Sequence, residues 1–475
     1  MNLLLGIDLS ASGAWLDVLA SQLRTFGHDV VTEILPAGRA VSSRPDWLLR
    51  LEPRLYGVDS GAWLSPVRES PPLAADVSGR LRIALSPAAA SDAGLQVTIE
   101  DEPLALLPQR LAQGLTPRLI VSGANGTRWM ALPATERPFS VAFTLDSYIQ
   151  RLGLLIHKAA SGHEPVEIPA PAPREPQSPA GTAWRHFVAK ALGLAARHRF
   201  RPDHWHVGIR RRNERADALP RSAEGCMWVA DDGQSYLADP ILWEEGGRTF
   251  LFVEVFPFST MTGFLAVAEL DDEARPLGPL RPVLTRKGHL SYPFLFGHDG
   301  QTYMIPENAA EGHLPLYRAT AFPDRWEECA PLLDVPLQDA TLIAHGGAFW
   351  LLGNESRDGS SWDCLCAYRA ETPLGPFIPH ARNPLMIDAR FARSAGPVFR
   401  HGEELIRPVQ DCLGGYGRGV HFMRITRLDA HSFQQERVSS LFPPANGIVS
   451  GIHTYCRSAR FEAFDALTPA SRKPA

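Results

Sequence analysis

The C-terminal half of this sequence repeats itself, and the repeat limits what the chain can fold into. From about residue 223 onward, an apolar strand, a glycine-containing turn and a second apolar strand recur four times, and a degenerate fifth copy follows. Each copy predicts a β-hairpin, because two apolar runs separated by a glycine turn pair as antiparallel strands. The copies begin 47 to 57 residues apart, at Asp239, Tyr292, Asp339, Gly396 and His453.

Further strand-like segments follow each hairpin, so each copy supplies about four strands. Four strands at a period of about 50 residues are typical of a β-propeller blade. We therefore predict a mainly β protein whose residues 223–470 form a five-bladed β-propeller. The apolar segment at residues 227–230 is predicted to close the ring against the last blade.

Residues 1–160 have a different pattern, in which apolar strands alternate with helical spacing. A strand is predicted over residues 3–9, a helix over 15–26 and a later helix over 147–158, which together indicate a small α/β domain. The first loop of this domain lacks the G-x-G-x-x-G pattern, so no dinucleotide site is predicted. Residues 161–182 contain six prolines and predict an extended linker, and residues 183–222 predict a connecting helix and strand.

Charge and apolar content exclude several classes of protein. The chain carries 47 basic and 52 acidic residues, a net charge of -5, which argues against nucleic-acid binding. No apolar run approaches the roughly 18 residues that a transmembrane helix needs, and the first residues do not have the form of a signal peptide. We therefore predict a cytoplasmic protein, with peripheral association with a membrane left open.

The cysteines do not suggest a metal site. They are scattered, and only Cys364 and Cys366 lie close together. A zinc site needs further cysteine or histidine ligands at short spacing, and no such pair lies nearby. We predict no bound metal and no cofactor.

Acidic and polar residues recur at both ends of the predicted hairpins. The inner strands of a propeller line a central channel, so their first residues converge at one mouth, and each returning strand leads back to that mouth. Carboxyl groups gathered in this way raise one another's pKa, and such groups are typical of general acid/base chemistry on sugars. The alternative is that Asp before Pro caps a turn. The polar residues at the return positions are Glu254, Glu307, Asn354 beside Glu355, and Gln410 beside Asp411.

Basic and aromatic residues are predicted at the same mouth. Arginine and histidine side chains there are suited to binding a phosphate or a sugar carboxylate. The alternative is that each arginine neutralises a neighbouring carboxylate. The aromatic side chains could stack on sugar faces or pack within the blades. The residues of this group are His289, Tyr292, Arg393, Arg407, Tyr416, Arg418 and His453.

Several short motifs of this region also occur together in a known family. They include YLADP at residues 236–240, HLSYPF at 289–294, YMIPE at 303–307, and QDC at 410–412 followed by YGR at 416–418. With these motifs, residues 225–456 resemble the family named for the N-terminal domain of the plant glucosamine inositolphosphorylceramide transferases. The resemblance implies a five-bladed propeller akin to those of arabinanases, invertases and mannoside phosphorylases. It also implies that the N-terminal segment is formyltransferase-like or degenerate Rossmann-like.

The resemblance implies roles for individual residues. In the related hydrolase propellers, acids occupy the starts of the first three inner strands. Asp239 matches the first of these acids, which serves as base or nucleophile. Tyr292 stands at the second position and Asp339 at the third, so the acid is predicted to be Glu307 or Asp339.

Two functions are predicted from these residues. The first is a carbohydrate-active enzyme that transfers or cleaves a glycosyl unit of a glycan or glycolipid, as glycosyltransferases, phosphorylases or glycosidases do. The second is a non-catalytic module that binds a sugar, sugar phosphate or lipid headgroup beside a separate glycosyltransferase. The predicted substrate-binding residues are Glu254, His289, Tyr292, Asn354, Glu355, Arg393, Arg407, Gln410, Asp411, Tyr416, Arg418 and His453.

Overall fold

The computed structural model groups the chain into two compact units. One consists of Met1–Ala195 with Arg357–Ser360, and the other of Ala196–Ser356 with Ser361–Ala475. The structure describes residues 1–8, 13–35, 46–56, 65, 78–90, 93–138, 140–181, 184, 204–212, 219–357, 359–444 and 449–468.

The N-terminal unit is a mixed α/β domain built on one sheet. Its first strands pair in parallel and its last strands in antiparallel fashion. The strands are Asn2–Asp8, Asp29–Leu35, Leu81–Ala84, Leu95–Ile99, Glu102–Pro103, Leu119–Gly123 and Arg128–Ala131. The α-helices are Trp15–Thr25, Asp46–Tyr56, Leu107–Ala112 and Val141–Ala160.

The last helix of this unit begins six residues before the predicted start at residue 147. Ser140 caps it by accepting a hydrogen bond from the backbone amide of Phe143. The buried carboxylate of Glu52 accepts hydrogen bonds from the amides of Val141 and Ala142. These acceptors satisfy amides that the first turn of a helix leaves without partners, and the sequence pattern around residue 141 does not reveal Glu52 as one of them.

The proline-rich segment has no helix or strand over residues 161–178. It nevertheless packs onto the N-terminal unit. Ile168 is buried and its carbonyl accepts a hydrogen bond from Arg118, while the amide of Gln177 donates to the carbonyl of Gln113. Apart from Trp184, the connecting helix predicted after this segment falls on residues outside those that the structure describes.

The second unit contains five antiparallel sheets within the described residues, and the prediction of a five-bladed β-propeller after a small α/β domain is confirmed. The first blade is Ser235–Glu245, Arg248–Pro257, Phe264–Leu270 and Arg281–Leu284. The second is Ser291–His298, Gln301–Glu307, Tyr317–Ala321 and Arg325–Glu328. The third is Gln338–His345, Ala348–Asn354, Cys364–Ala370 and Ile378–Pro379, with Met386–Ile387 beside its third strand. The fourth is Phe399–His401, Glu404–Gln410, Val420–Leu428 and Phe433–Leu441.

The fifth blade joins the two ends of the propeller. Its inner strands, Tyr455–Arg457 and Phe461–Thr468, come from the end of the chain. Its outer strands, His204–Arg211 and Met227–Trp228, come from before the first blade. We call His204–Arg211 the closing strand. It lies in the region predicted to be a connection, whereas the predicted closing segment supplies only the edge strand beside it.

The first three inner strands share a backbone irregularity. Each has a register shift of the β-bulge type, and each places a non-glycine residue at positive φ: Asp239 at 49°, Tyr292 at 47° and Asp339 at 48°. This conformation is sterically costly for residues with a Cβ. The conformation recurs in three blades, so it is a property of the propeller backbone. It occurs at the equivalent position of the inner strand in each of these blades.

Apolar residues fill the space between neighbouring blades. One cluster joins the fifth, first and second blades, and others join the third, fourth and fifth. Phe250, Phe252, Phe422 and Phe464 are among the fully buried side chains. Among the described helices, none has the length and apolar composition to cross a membrane.

We expect Gly396→Ala to destabilise the propeller strongly. Gly396 has a φ of 129°, and a Cβ there would overlap the carbonyl oxygen of Tyr455 in the fifth blade. The combination of a glycine-only conformation and this overlap should lower the free energy of unfolding by about 3 kcal/mol or more. Gly402→Ala is the matched control, because its φ is 60° and its Cβ would meet nothing within 4 Å, so about 1 kcal/mol is expected. Urea unfolding followed by tryptophan fluorescence measures both, and equal losses would contradict the prediction.

Candidate active site

A polar cavity of about 130 Å³ lies where the five blades meet. Each blade contributes to its lining: Asp239 from the first, Ser291 from the second, Asp339 from the third, Arg393 beside the fourth and His453 beside the fifth. The full lining is Trp205, Tyr236, Ala238, Asp239, Glu254, His289, Ser291, Glu307, Asp339, Arg393, Tyr416 and His453.

The fixed offset between inner and returning strands accounts for this convergence. In the first three blades the return residue pairs with the residue just before the bulge: Glu254 with Ala238, Glu307 with Ser291, and Asn354 with Gln338. Eight of the predicted site residues therefore line one cavity. They are Asp239, Glu254, His289, Glu307, Asp339, Arg393, Tyr416 and His453.

A buried Asp–His–Asp group, which we call the relay, forms one wall. The Nε2 atom of His453 lies 3.1 Å from Asp239 Oδ1, and its Nδ1 atom lies 3.0 Å from Asp465 Oδ2. Asp239 also accepts hydrogen bonds from the hydroxyl of Thr454 at 2.6 Å and the backbone amide of Tyr292 at 3.1 Å. Both oxygens of Asp239 are thus engaged, and the residue is only 5% exposed.

The pKa values of Asp239 and His453 in the relay are shifted in opposite directions, and both shifts favour the charged form. Burial raises the pKa of Asp239, but the hydrogen bond and charge of His453 lower it more, so that the net pKa lies below its usual value. Burial lowers the pKa of His453, but the charges of Asp465 and Asp239 raise it much more, so that the net pKa lies well above its usual value. An imidazolium is therefore held between two carboxylates.

Asp465 also organises the backbone around the relay. Its Oδ1 atom accepts hydrogen bonds from the amides of His453 and Thr454, at 3.0 and 2.9 Å. Its Oδ2 atom accepts one from the amide of Asp239 at 3.1 Å. One buried carboxylate thereby connects the fifth blade to the bulge of the first.

Arg393 holds two carboxyl groups on the opposite wall, an arrangement that we call the clamp. Its Nε lies 2.5 Å from Asp339 Oδ2 and its Nη2 lies 3.4 Å from Glu307 Oε2. Burial lowers the pKa of Arg393, but the charges of Asp339 and Glu307 more than offset this. Burial raises the pKa of Asp339, Arg393 opposes this and Glu307 adds to it, and the net pKa lies well above its usual value.

Glu254 lies between these two walls. Its Oε1 atom is 3.5 Å from His289 Nε2, and His289 Nδ1 accepts a hydrogen bond from the amide of Gly263. The neutral tautomer of His289 therefore carries its proton on Nε2 and directs it toward Glu254. Burial, followed by the negative charge of Asp239, raises the pKa of Glu254 well above its usual value. The cavity thus combines one carboxyl group with a lowered pKa, Asp239, and one with a raised pKa, Glu254.

Aromatic rings border the relay. The ring centres of Trp205 and His453 are 4.1 Å apart, and those of Tyr416 and His453 are 5.3 Å apart. Burial, followed by the charges of Glu254 and Asp239, raises the pKa of Tyr236. These tyrosine and tryptophan side chains offer flat faces of the kind on which sugar rings stack.

The seven other predicted site residues lie outside the cavity lining. Tyr292 is buried and its hydroxyl contacts that of Thr341 at 2.9 Å. Glu355 accepts a hydrogen bond from the hydroxyl of Tyr368. Asn354 bonds to the carbonyl of Cys364 and the amide of Ser394, and Gln410 bonds to the carbonyl of Ser394 and, at 3.5 Å, to Asp339 Oδ2.

Two of the predicted anion-binding arginines have structural partners instead. Arg407 is buried and donates to the carbonyls of Phe391 and Ala392, and burial lowers its pKa to about 9. Arg418 donates to the carbonyl of Leu413 and lies 3.7 Å from Asp411. Of the five cations predicted for this mouth, the cavity brings together Arg393, His289 and His453.

The sequence reasoning missed Asp465, Trp205, Ser291 and Tyr236 as cavity or relay residues. Asp465 occupies the return position of the fifth blade, but the turn there is shorter, so the offset that identified the other return residues does not apply. Trp205 belongs to the closing strand, which the repeat pattern does not include. Tyr236 belongs to the YLADP motif at residues 236–240, and its position three residues before Asp239 is the signal that could have identified it.

Three clusters among the described residues could hold a metal ion. In the relay, each nitrogen of His453 already faces a carboxylate oxygen, at 3.1 and 3.0 Å. The prediction of no metal and no cofactor remains a prediction. The clusters are Asp239, His453 and Asp465; His204, His206 and Asp231; and Glu311, His313 and Glu328.

We expect Asp465→Asn to destabilise the protein in a pH-dependent way. A group with a raised pKa in the folded state stabilises that state fully below its unfolded pKa, here 6.5, and this contribution disappears as pH rises through the folded pKa. Breaking this buried pair should remove about 3–5 kcal/mol near pH 6, and the deficit should narrow as the pH increases. Urea titrations from pH 6 to 9.5 measure it.

The control is Asp272→Asn, since the Asp272 side chain is 74% exposed in its pair with Arg460. It should change stability by less than about 1 kcal/mol at every pH. A deficit for Asp465→Asn that is constant with pH would show that the charge on His453 does not depend on Asp465.

Comparison with known proteins places the propeller in a family. The family model described as glucosamine inositolphosphorylceramide transferase 1, N-terminal, matches residues 209–447. Glucosamine inositolphosphorylceramide transferase 1 of Oryza sativa subsp. japonica is 36% identical over 209 residues, which are 43% of this chain and 28% of that protein. The protein of the same name from Arabidopsis thaliana is 34% identical over 212 residues, 43% of this chain and 27% of that protein. The match thus spans less than a third of either relative.

Solved structures align with part of the chain at lower similarity. A family 117 glycoside hydrolase of Zobellia galactanivorans aligns with 56% of this chain and 91% of its own, at 11% identity and a TM-score of 0.37. The α-L-arabinanase of Cellvibrio cellulosa aligns with 43% and 78%, at 15% identity and a TM-score of 0.33. The formyltransferase-like assignment of the N-terminal segment lies outside the family match and stays a prediction. Because the family model covers half of the sequence, the chain belongs to the glucosamine inositolphosphorylceramide transferase 1 N-terminal family.

Proposed function

We propose that this protein is a carbohydrate-active enzyme that transfers or cleaves a glycosyl unit of a glycan or glycolipid in the propeller cavity. The observation that carries the proposal is the pair Asp239 and Glu254, two carboxyl groups of one cavity whose pKa values are displaced in opposite directions. Groups separated in this way can serve as base and acid at the same pH. The names of the relatives, which refer to glucosamine and to inositolphosphorylceramide, support the same substrate class.

Asp239 is the base or nucleophile in this proposal. It is ionised, and His453 and Thr454 fix its orientation. The proton donor is Glu254 or a member of the clamp. Glu254 is favoured because Asp339 lies against the guanidinium of Arg393, which stabilises its ionised form, whereas the groups beside the Glu254 carboxyl are the side chains of His289 and Tyr236.

The charges around the cavity favour a neutral or cationic sugar. The cavity and relay together contain five carboxyl groups, Asp239, Glu254, Glu307, Asp339 and Asp465, against the cations Arg393 and His453. Both cations already face carboxylates at 3.1 Å or less. A free phosphate would therefore meet little unbalanced positive charge, and an amino sugar or an uncharged sugar ring fits better than a sugar phosphate. Location in the cytoplasm, at the surface of a membrane that contains glycolipids, belongs to the same proposal.

The alternative function is a sugar- or headgroup-binding module that works beside a separate glycosyltransferase. Two observations favour it. Asp239 is nearly fully buried with both oxygens hydrogen-bonded, and Tyr292 occupies the position where related hydrolase propellers carry a second acid. The family match also spans less than a third of the curated relatives, so their whole activity need not belong to this segment.

We expect Asp239→Asn to abolish turnover while ligand binding is retained. A thermal-shift screen of neutral sugars, amino sugars, sugar phosphates and nucleotide sugars first identifies the ligand class, because a ligand that binds the native state raises the Tm. Turnover of that ligand class should then fall about 10²- to 10⁴-fold in Asp239→Asn, with Kd within threefold of wild type. Asp299→Asn is the control, since its side chain is 87% exposed. Binding by wild type without turnover in any donor–acceptor pair would instead support the binding module.

The pH dependence of kcat/KM should identify the acid. The rate rises as Asp239 loses its proton, with a pKa below 3.8, and falls as Glu254 loses its proton, with a pKa well above 4.5. Glu254→Gln should lower kcat by about 10²-fold or more and remove the alkaline decline. Asp339→Asn is the matched comparison. If that variant removes the alkaline decline and Glu254→Gln retains it, the acid is Asp339.

A further inference from the structure

A second cluster of ionisable side chains lies on the closing strand, on the face opposite to the cavity. His204 and His206 are two residues apart on this strand and share one face, where their rings stack with centres 4.4 Å apart. Asp231, which follows the edge strand of the same blade, directs one oxygen at both rings. Its Oδ2 atom is 3.0 Å from His204 Nε2 and 3.3 Å from His206 Nδ1.

The hydrogen bonds around the cluster determine where the protons are. Thr468 Oγ1 donates its proton to the carbonyl of His204 at 3.3 Å, so it accepts from His206 Nε2 at 3.1 Å. His206 therefore carries its proton on Nε2 when it is neutral. Its Nδ1 lone pair then faces the lone pairs of Asp231 Oδ2, a repulsive contact that a cation between the two atoms would convert into an attractive one.

The contacts of His206 and Asp231 are those expected of metal ligands. Thr468 Oγ1 holds His206 Nε2 at 3.1 Å, which leaves His206 Nδ1 toward Asp231 Oδ2 at 3.3 Å. A neutral imidazole whose second N–H is bound to an oxygen acceptor is the usual state of a histidine that ligates a metal. The second oxygen of Asp231 is also held, because Oδ1 accepts the amide of Gly233 at 2.7 Å.

The two distances from the Asp231 oxygen to the histidine nitrogens also fit a metal. Ligands about 2.0–2.2 Å from a tetrahedral zinc ion lie about 3.3–3.5 Å from one another. The oxygen of Asp231 is already 3.0 and 3.3 Å from the two nitrogens. All three ligand atoms lie within 4.8 Å of one another, so side-chain movement without a change of the backbone would bring them to the spacing of zinc ligands.

We propose that His204, His206 and Asp231 form a binding site for a divalent transition metal of the zinc type, with one coordination position left for water. Nitrogen ligands from two histidines and one carboxylate oxygen suit zinc better than the hard ions calcium and magnesium. The site connects the closing strand to the segment that leads into the first blade. It therefore fastens the ring where its two ends pair.

The site also bears on the cavity. Trp205 stands between the two histidines in sequence and points to the opposite face, where its ring lies 4.1 Å from that of His453. A metal that fixes His204 and His206 fixes the strand that carries Trp205. The metal is thus structural for the ring and positions one wall of the cavity without touching a ligand there.

The test measures zinc binding to protein without an affinity tag, after treatment with a chelator and dialysis. Isothermal titration with zinc sulfate, with bound metal counted by mass spectrometry, should give one ion per chain in wild type and an increase in Tm. His206→Ala and Asp231→Asn should each weaken zinc binding at least 100-fold and remove the increase in Tm. Cobalt(II) in place of zinc should give the visible absorption of a four-coordinate site.

Two further variants keep the test decisive. Thr468→Val retains all three ligands but removes the acceptor that fixes the tautomer of His206, so zinc affinity should fall about 10-fold with an unchanged circular dichroism spectrum. His313→Ala removes a histidine from the more exposed Glu311, His313 and Glu328 group and should leave the stoichiometry at one. Absence of zinc binding by wild type at about 100 μM zinc overturns the proposal. Loss of the ion only in His313→Ala overturns it as well.

Discussion

The propeller depends on the hydrogen bonds and the ion pair that the buried carboxylate of Asp465 makes where the ring closes. The ring is closed by pairing the closing strand with Phe461–Thr468, across more than half of the chain. Bringing together segments so far apart in sequence costs conformational entropy, and contacts within a single blade do not offset that cost. Asp465 stands at this junction, fully buried, and binds the amides of Asp239, His453 and Thr454. A buried carboxylate is tolerable only with such hydrogen bonds and a counter-ion, and His453 supplies the counter-ion.

The same carboxylate links closure of the ring to the chemistry of the cavity. Asp465 raises the pKa of His453, and the imidazolium that results lowers the pKa of Asp239. The ionised state of Asp239 therefore depends on a residue that does not line the cavity. Substitutions at the junction should change stability and the state of the cavity together, whereas a substitution at Glu254 should affect mainly the cavity.

The sequence predicted the blades because each blade is a local unit whose hairpin period is visible in the chain. It also predicted that Asp239, Glu307 and Asp339 converge, since strand pairing fixes the offset between an inner strand and its return. It predicted a strand within residues 183–222 but could not predict that this strand closes the ring, because the strand pairs with residues at least 250 positions away. Nor could it separate Arg393 from Arg407, because their roles depend on whether the nearest acceptors are carboxylates or backbone carbonyls. Whether the fifteen predicted residues bind a substrate stays a prediction.

The bulges show that the backbone conformation at the site does not depend on which side chains occupy it. Asp239, Tyr292 and Asp339 share the same positive φ, although only two of them carry a carboxylate. The strained conformation is therefore a property of the propeller, which presents three side chains at one end of the channel whatever their chemistry. At Tyr292 the chain uses this position for a buried hydroxyl that contacts Thr341 rather than for an acid. That choice removes one negative charge from a cavity already rich in carboxyl groups, in which the pKa values of Asp239 and Glu254 are displaced in opposite directions.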